Sequence, residues 1–265
     1  MKPTLEFALE SKKDVFDDDD ARFIVQNIIL PRLDIYPIRP GARVIYDLNL
    51  DRVLSSIEEL EKTWSYTPRT KIEDTAHTYG RKHSGEKIGF WSVPKTSGLV
   101  LAYLVTQTAA RTVLELGTSV GYSTLHLANA ISSSDSDAKV FTIELLDEKV
   151  RLAQKHFERS GLNNKIELIQ KDAMSVLSTW NKGLVDLVFL DADKENYANY
   201  FDLLVPIMKK GGLIIADNIN DYGHMMEDYL QKVSGTHLPK SRCDIRVMST
   251  YIAQLDNGLM ITKKL

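Results

Sequence analysis

The chain has 265 residues, of which 43% are hydrophobic, and it carries a formal net charge of −3. This length and apolar content predict one main domain with a full core and room for an accessory segment. The small charge argues against a dedicated nucleic-acid binder, and no apolar run reaches the roughly 18 residues of a membrane span. The first residues lack a signal-peptide pattern and the single cysteine, Cys243, cannot form an internal disulfide, so we expect a soluble cytoplasmic protein.

We predict that residues 1–90 form an N-terminal helical extension and that residues 91–265 form the main domain. Aspartates at positions 17–20 precede apolar residues at helical spacing, and Pro31 is expected to end that helix. A second helix begins at Asp47 or Asn49 and ends near Trp64, and a more polar third helix covers residues 68–82. The second helix has an apolar stripe that packs either on the main domain or on another chain. Its members are Leu54, Ile57, Leu60 and Trp64.

From Arg111 onward strands and helices alternate strictly, which predicts a doubly wound α/β fold with a mostly parallel sheet. The predicted strands are residues 112–116, 139–143, 165–169, 185–190 and 212–216, and the predicted helices are residues 121–131, 147–160, 195–208 and a short one from 173. The tail differs, because residues 244–255 and 258–262 are β-rich and are joined by Asp256-Asn257-Gly258, a hairpin signal. We therefore expect seven strands, of which the last two form an antiparallel pair.

Two apolar strands of this sheet end in acidic residues. The run at 185–190 ends in Asp191, the run at 212–216 ends in Asp217-Asn218, and Gly211-Gly212 is expected to end the helix between them. Ligands of open α/β sheets bind beyond the carboxyl ends of the strands. We therefore predict that a hard divalent cation is bound there by the side-chain oxygens of Asp191, Asp217 and Asn218. A single Asp after a strand is more often a helix cap, but caps alone do not explain two consecutive acidic strand ends.

A glycine-rich turn follows the first predicted strand. Gly117 and Gly121 allow the backbone to pass close to a ligand at the start of a helix, and Glu144 at the end of the next strand can accept hydrogen bonds from ribose hydroxyls. A dinucleotide fold has a glycine between these two, whereas this chain has Ser119. The turn therefore favours an adenosine ligand without a pyrophosphate, and S-adenosylmethionine (SAM) fits that description.

These residues resemble the cation-dependent O-methyltransferases of the catechol and caffeoyl-CoA type, which are class I SAM-dependent methyltransferases. The similarity covers about residues 88 to 265. Its motifs are Glu115-Leu116-Gly117 with Gly121-Tyr122-Ser123, Asp191-Ala192-Asp193-Lys194-Glu195-Asn196-Tyr197, and Gly211-Gly212 with Asp217-Asn218. The resemblance implies a Rossmann-like SAM methyltransferase fold.

The resemblance also implies roles for individual residues. Asp191, Asp217 and Asn218 would bind Mg²⁺, with Ca²⁺ or Mn²⁺ as alternatives, and Lys194 would act with Asp191 in catalysis beside the acceptor hydroxyl. The implied SAM site consists of Val93, Glu115, Gly117, Ser119, Tyr122, Ser123, Glu144, Asp172, Ala173 and Asp191. The implied substrate is a small, phenolic molecule with vicinal hydroxyls, whose pKa a chelated cation would lower.

Several alternatives remain open. Lys194 is either a base or an electrostatic aid, because the cation would favour its neutral form whereas Asp191 and Asp193 oppose it. Tyr222 and His224 are candidates for acceptor contact or plain loop residues. Two other functions compete: methylation of a hydroxylated RNA base through a basic face, and a non-catalytic SAM-binding, dimerising module. The residues of that basic face are Arg81, Lys82, Lys87 and Lys95.

The acceptor is the least determined part of the prediction. Many relatives have a Gly-Gln pair before the first strand, whereas this chain has Gly98-Leu99, and its N-terminal segment is longer than usual. Both features belong to the region that shapes the acceptor pocket in the family. We expect the N-terminal extension to cover the acceptor pocket and to contribute to a homodimer, while the main domain alone holds SAM.

Overall fold

A computed structural model describes residues 17–39, 41–64, 89–131, 137–234, 247–252, 255 and 257–265. The predicted helix at 68–82, the start of the predicted tail strand and Cys243 lie outside this range. Within it, no helix is both long enough and apolar enough to span a bilayer.

One sheet of seven strands forms the centre of the molecule, in the order β3-β2-β1-β4-β5-β7-β6. Neighbours from β3 to β5 are parallel, and β7 is antiparallel to both β5 and β6. This confirms the predicted doubly wound sheet with a terminal antiparallel hairpin. The strands are β1 Thr112–Leu116, β2 Lys139–Glu144, β3 Ile166–Gln170, β4 Val185–Leu190, β5 Met208–Ala216, β6 Val247–Ile252 and β7 Leu259–Lys264.

Helices cover both faces of the sheet. Successive residues of β1 show this, because Val113 belongs to one buried apolar cluster and Leu114 to the other. The described α-helices are α1 Asp18–Ile24, α2 Leu30–Arg32, α3 Leu48–Glu61, α4 Lys95–Thr108, α5 Tyr122–Ala130, α6 Asp147–Ser160, α7 Ala173–Ser178, α8 Tyr197–Ile207, α9 Ile219–Tyr222 and α10 Glu227–Ser234.

The first helical segment continues beyond the point where the sequence predicted its end. Asp17 caps α1 with a reciprocal capping box, as the acidic cluster indicated. A π-helical turn, Val25–Ile29, then joins α1 to α2, so the segment continues through Pro31 to Arg32. Pro31 is the second residue of α2 and follows the π-helical turn directly.

The strand β5 begins earlier than predicted. We expected Gly211-Gly212 to end the preceding helix, but α8 ends at Ile207 and β5 starts at Met208. Gly211 adopts φ 82° inside this strand, beside a register shift between β4 and β5. The glycine pair therefore accommodates an irregular ladder, a role that glycine also has in strands.

The helix α3 packs on the main domain. Asp47 caps it by accepting from the Leu50 N–H at 2.8 Å, which decides between the two predicted caps. Leu54 and Ile57 are buried in the same apolar cluster as α4 and α5, and Trp64 packs against that cluster. The stripe was predicted to pack either on the main domain or on another chain. It is covered largely by the chain itself, since only Leu60, 37% exposed, lies at its edge.

Candidate functional site

The carboxyl ends of β1, β4 and β5 lie side by side. Leu190 is paired with both Leu116 and Ala216, so the residues that follow these strands start from one level of the sheet. The Asp191 N–H donates to the Leu116 carbonyl at 2.9 Å, and the Asp217 N–H donates to the Leu190 carbonyl at 3.2 Å. The register of the sheet therefore brings the two acidic strand ends together, as the sequence predicted.

Lys194 lies directly beside the first of these carboxylates. Its Nζ is 2.6 Å from Asp191 Oδ1 and 2.9 Å from the Tyr197 hydroxyl. The side chains of Asp191 and Lys194 are 15% and 14% exposed, so this ion pair is shielded from solvent more than a surface pair. A 3₁₀ turn, Lys194–Asn196, turns the chain back after β4 and places the lysine over the strand end.

Asp217 is a buried carboxylate with an unused oxygen. It is 1% exposed, and among the described residues its Oδ1 has no hydrogen-bond partner. Burial, and then repulsion by Asp191, raise the pKa of Asp217, and hydrogen bonds from the Asn218 backbone and the Asn257 side chain offset part of that effect. Asn218 itself adopts the left-handed conformation, with φ 66°.

This arrangement fits a hard divalent cation. A cation would satisfy the unpartnered Asp217 oxygen and would relieve the repulsion between the two carboxylates. In the part of the chain that the structure describes, no three His, Cys, Asp or Glu side chains form a group able to hold a metal. The predicted site consists of two carboxylates and the Asn218 amide, so water and substrate oxygens would have to complete the coordination.

The glycine turn after β1 is packed tightly against the rest of the site. Gly117 has φ 102°, and a Cβ built on it would lie 2.3 Å from the Asp191 carbonyl oxygen. Gly121 has φ 91°, and a Cβ there would lie 2.4 Å from the Phe157 ring. In the described structure these two spaces are filled by the protein itself, so both glycines are required for packing whether or not a ligand approaches them.

Glu115 occupies the interior of the sheet rather than its edge. It is fully buried, and its carboxylate accepts hydrogen bonds from Ser123, Thr124 and Thr142, at 2.5, 2.5 and 2.6 Å. Burial raises its pKa to about 7, although these three donors act in the opposite direction. Glu115 is therefore linked by a hydrogen bond to Ser123, another residue of the predicted cofactor site.

Glu144 lies at the carboxyl end of β2, where the ribose was predicted. One of its oxygens accepts from the Ser119 N–H at 2.8 Å, and the other accepts from the Leu145 and Leu146 N–H groups at 2.8 and 2.9 Å. Ser119 has φ 49°. The structure thus joins two predicted cofactor residues, and three backbone donors hold the carboxylate in place.

The remaining predicted residues occupy different surroundings. Asp172 caps α7 by accepting from the Ser175 N–H, and Ala173 begins that helix. Val93 is buried just before α4. The Tyr122 hydroxyl donates to Glu58 of α3 at 2.5 Å. 

The two acceptor-contact candidates follow Asn218 closely in the chain. Tyr222 is 44% exposed at the end of α9, and His224 is exposed in the next turn. The contact of these two side chains with the acceptor stays a prediction.

One residue near the site had no local sequence signal. Lys149 in the first turn of α6 is only 3% exposed, its Nζ donates to the Phe90 carbonyl at 3.2 Å, and it lies 4.6 Å from the centroid of a Trp91 ring. Ser119 Oγ donates to the same carbonyl. Burial lowers the pKa of Lys149, and Glu144 and Asp191 oppose this effect.

A cavity of about 200 Å³ lies between the N-terminal helices and the main domain. Lys95, one member of the proposed basic face, lines it together with Asp17, Asp18, Asp51 and Glu58. Lys95 thus shares this cavity with four carboxylates, which disfavour a phosphate group there. The other predicted members of the face lie outside the described residues.

Similarity to known proteins establishes the family of this chain. A family model described as O-methyltransferase matches residues 75–265. The chain belongs to this O-methyltransferase family. Among curated relatives, a flavonoid 3′,5′-methyltransferase of Vitis vinifera is 35% identical over 151 residues, which cover 54% of this chain and 63% of the relative. A catechol O-methyltransferase of Mycobacterium tuberculosis is 33% identical over 128 residues, which cover 48% of this chain and 57% of the relative. The chain thus matches about three fifths of the length of these relatives.

Solved structures share the fold of this O-methyltransferase family member. An O-methyltransferase from Klebsiella pneumoniae superposes with a TM-score of 0.61 at 20% identity, covering 91% of this chain and 96% of its own. An O-methyltransferase from Bacillus cereus, in complex with SAH, superposes with a TM-score of 0.59 at 23% identity, covering 84% and 93%. At these identities the similarity establishes the common architecture.

Proposed function

We propose that this protein is a SAM- and divalent-cation-dependent O-methyltransferase that methylates a small, phenolic molecule with vicinal hydroxyls. The observation that carries the proposal is the meeting of Asp191, Lys194 and Asp217 at the ends of two neighbouring strands. Family membership supports the reaction class, and relatives named for catechol and caffeoyl-CoA support the substrate class.

The proposed SAM site follows the carboxyl edge of β1 and β2. Glu144 supports it most directly, because three backbone N–H groups fix its carboxylate at the place where ribose hydroxyls would donate. Gly117 and Ser119 form the adjoining turn, and Ser123 and Glu115 hold the start of α5 against β1. The other members of the proposed SAM site are Val93, Tyr122, Asp172 and Ala173.

We assign the cation to Asp191, Asp217 and Asn218, with Mg²⁺ as the first choice and Ca²⁺ or Mn²⁺ as alternatives. Within the described residues, Oδ1 of Asp217 has no hydrogen-bond partner, and this supports the assignment. When bound, such an ion supplies Lewis-acid stabilisation of an acceptor oxyanion. Around it, this chain holds Lys194 with Nζ 2.6 Å from Asp191, where its charge lies next to the reacting oxygen in the proposed complex.

We also propose that the N-terminal extension, residues 1–90, covers the acceptor pocket and contributes to a homodimer in the cytoplasm. Two exposed apolar side chains of its described part support an intermolecular contact, because Ile45 is 78% and Leu48 is 76% exposed. Light scattering of the wild type and of Leu48→Asp tests this part. A monomeric wild type would contradict the proposed homodimer. A wild-type dimer that dissociates in Leu48→Asp would support it.

The reaction is tested by transfer of a labelled methyl group from SAM to a panel of catechols, each assayed with and without EDTA. We expect methylation of at least one catechol, loss of that activity with EDTA, and recovery with excess Mg²⁺. Bulk RNA serves as the competing acceptor. Methylation of RNA but not of catechols overturns the substrate class, and activity that resists EDTA overturns the role of the cation.

A further inference from the structure

We propose that Tyr197 is a positioning residue that fixes the direction of Lys194 at the catalytic edge of the sheet. This inference rests on the proposed function, because Lys194 is taken there as a catalytic side chain. Tyr197 begins α8 and is fully buried, and the sequence analysis placed it at the end of the motif that starts at Asp191 but gave it no role. Its hydroxyl, however, is part of the polar network around Asp191.

The hydrogen bonds of the Tyr197 hydroxyl determine how it can contact the lysine. The hydroxyl donates its single proton to the Leu190 carbonyl at 2.9 Å, so only its lone pairs remain available. It therefore accepts from Lys194 Nζ, also at 2.9 Å. Since Leu190 is the last residue of β4, the phenol links the lysine to the strand that carries Asp191.

A lysine side chain needs such an anchor, because its flexible stem has several rotatable bonds and its ammonium has no preferred direction. Asp191 provides one anchor, but in the proposed site Asp191 also binds the cation. Tyr197 provides a second anchor that the cation does not share. Lys194 Nζ also lies 5.2 Å from the centroid of the Tyr197 ring, which adds a weak cation–π attraction.

The anchor is itself rigid. The Tyr197 ring packs edge-on against Tyr229, with centroids 5.7 Å apart and planes at 90°. The Leu190 carbonyl fixes the position of its hydroxyl as well. Because precise placement of a catalytic group acts on the transition state more than on substrate binding, loss of this hydroxyl should lower kcat and leave the acceptor KM nearly unchanged.

Tyr197→Phe is the direct test, and Tyr200→Phe is its matched control on the same helix. Tyr200 also donates from a largely buried phenol, but to Asp193 rather than to the lysine network. We expect Tyr197→Phe to lower kcat about tenfold, with the acceptor KM and the SAM Kd within about twofold of wild type. Tyr200→Phe should retain most of the wild-type kcat. Equal losses in the two variants overturn the proposal.

A double-mutant cycle separates positioning of Lys194 from a general packing effect. In a Lys194→Met background, Tyr197→Phe should have no further effect on kcat, because the group that it positions is gone. Additive losses overturn the proposal. If Tyr197→Phe fails to fold, a fluorotyrosine at position 197 retains the ring and weakens the hydroxyl as an acceptor, and kcat should still fall while KM is retained. Wild-type kcat in that variant overturns the proposal.

A readout independent of methyl transfer distinguishes failure of this inference from failure of the proposed function. The rate at which an amine-acylating reagent labels Lys194, measured by peptide mass spectrometry, reports how firmly the ammonium is held. We expect labelling to be several-fold faster in Tyr197→Phe than in wild type and in Tyr200→Phe. Faster labelling in a protein that methylates no acceptor would support the positioning role of Tyr197 and contradict the proposed function. Unchanged labelling rejects the positioning.

Discussion

The buried carboxyl of Glu115 makes the stability of the protein depend on pH. Its pKa is raised from 4.5 to about 7 in the folded protein, mainly by burial. A raised carboxyl pKa means that the folded state favours the protonated form of Glu115. The contribution of this protonated carboxyl to the free energy of unfolding is therefore fully present below about pH 4.5 and is lost as pH rises through about 7. At about 1.4 kcal/mol per pH unit, this contribution amounts to about 3 kcal/mol.

The perturbation that isolates this contribution is Glu115→Gln, which retains the shape of the side chain but cannot ionise. Glu115→Gln should become more stable relative to wild type as pH rises, by about 3 kcal/mol between pH 4.5 and 8. A constant difference adds to this change, because the amide cannot accept all three hydroxyl donors of the carboxylate.

The assay is urea unfolding of both proteins at several pH values, with the free energy of unfolding extrapolated to water. Glu167→Gln, on the edge strand β3, provides the baseline for removing a partly exposed glutamate. A stability difference between wild type and Glu115→Gln that stays constant from pH 4.5 to 8 would refute the reasoning. In that case the three hydroxyls, rather than burial, would control the ionisation of Glu115.

Three further predictions concern the cation, the cofactor and the extension. Asp217→Ala should lower cation-dependent turnover at least about tenfold in the catechol assay, and undiminished turnover would contradict its role as a ligand. Glu144→Ala should weaken SAM binding about tenfold in calorimetry with the fold intact, whereas equal affinity would place the ribose elsewhere. Ile57→Ala, at a fully buried position, should lower the free energy of unfolding by about 2 to 5 kcal/mol, and a loss below about 1 kcal/mol would show that α3 packs loosely.

Much of the main domain could be predicted because its signals are local. The strands Thr112–Leu116 and Val185–Leu190 have the predicted bounds, and the second is apolar except for Asp186 and is followed directly by the carboxylate of Asp191. Parallel pairing then places consecutive strand ends at one edge, so the meeting of Asp191 and Asp217 follows from topology rather than from side-chain detail.

The parts that could not be predicted depend on contacts between distant segments. The burial of Lys149 requires the Phe90 carbonyl, 59 residues away along the chain. Tyr122 was assigned to the cofactor site by its motif, but the direction of its hydroxyl is determined by Glu58, 64 residues earlier. Periodicity and motifs describe one segment at a time, so neither contact has a sequence signal.

The close packing of Gly117 against Asp191 has a consequence for ligand binding. Because the place of a Gly117 Cβ is already occupied by the Asp191 carbonyl, the turn after β1 and the turn after β4 touch backbone to backbone. In the proposed enzyme the first turn holds SAM and the second holds the cation and the acceptor. A ligand that fixes the conformation of one turn therefore also fixes that of the other. Such coupling is reciprocal by thermodynamic linkage. The two substrates should then bind cooperatively, each raising the affinity for the other.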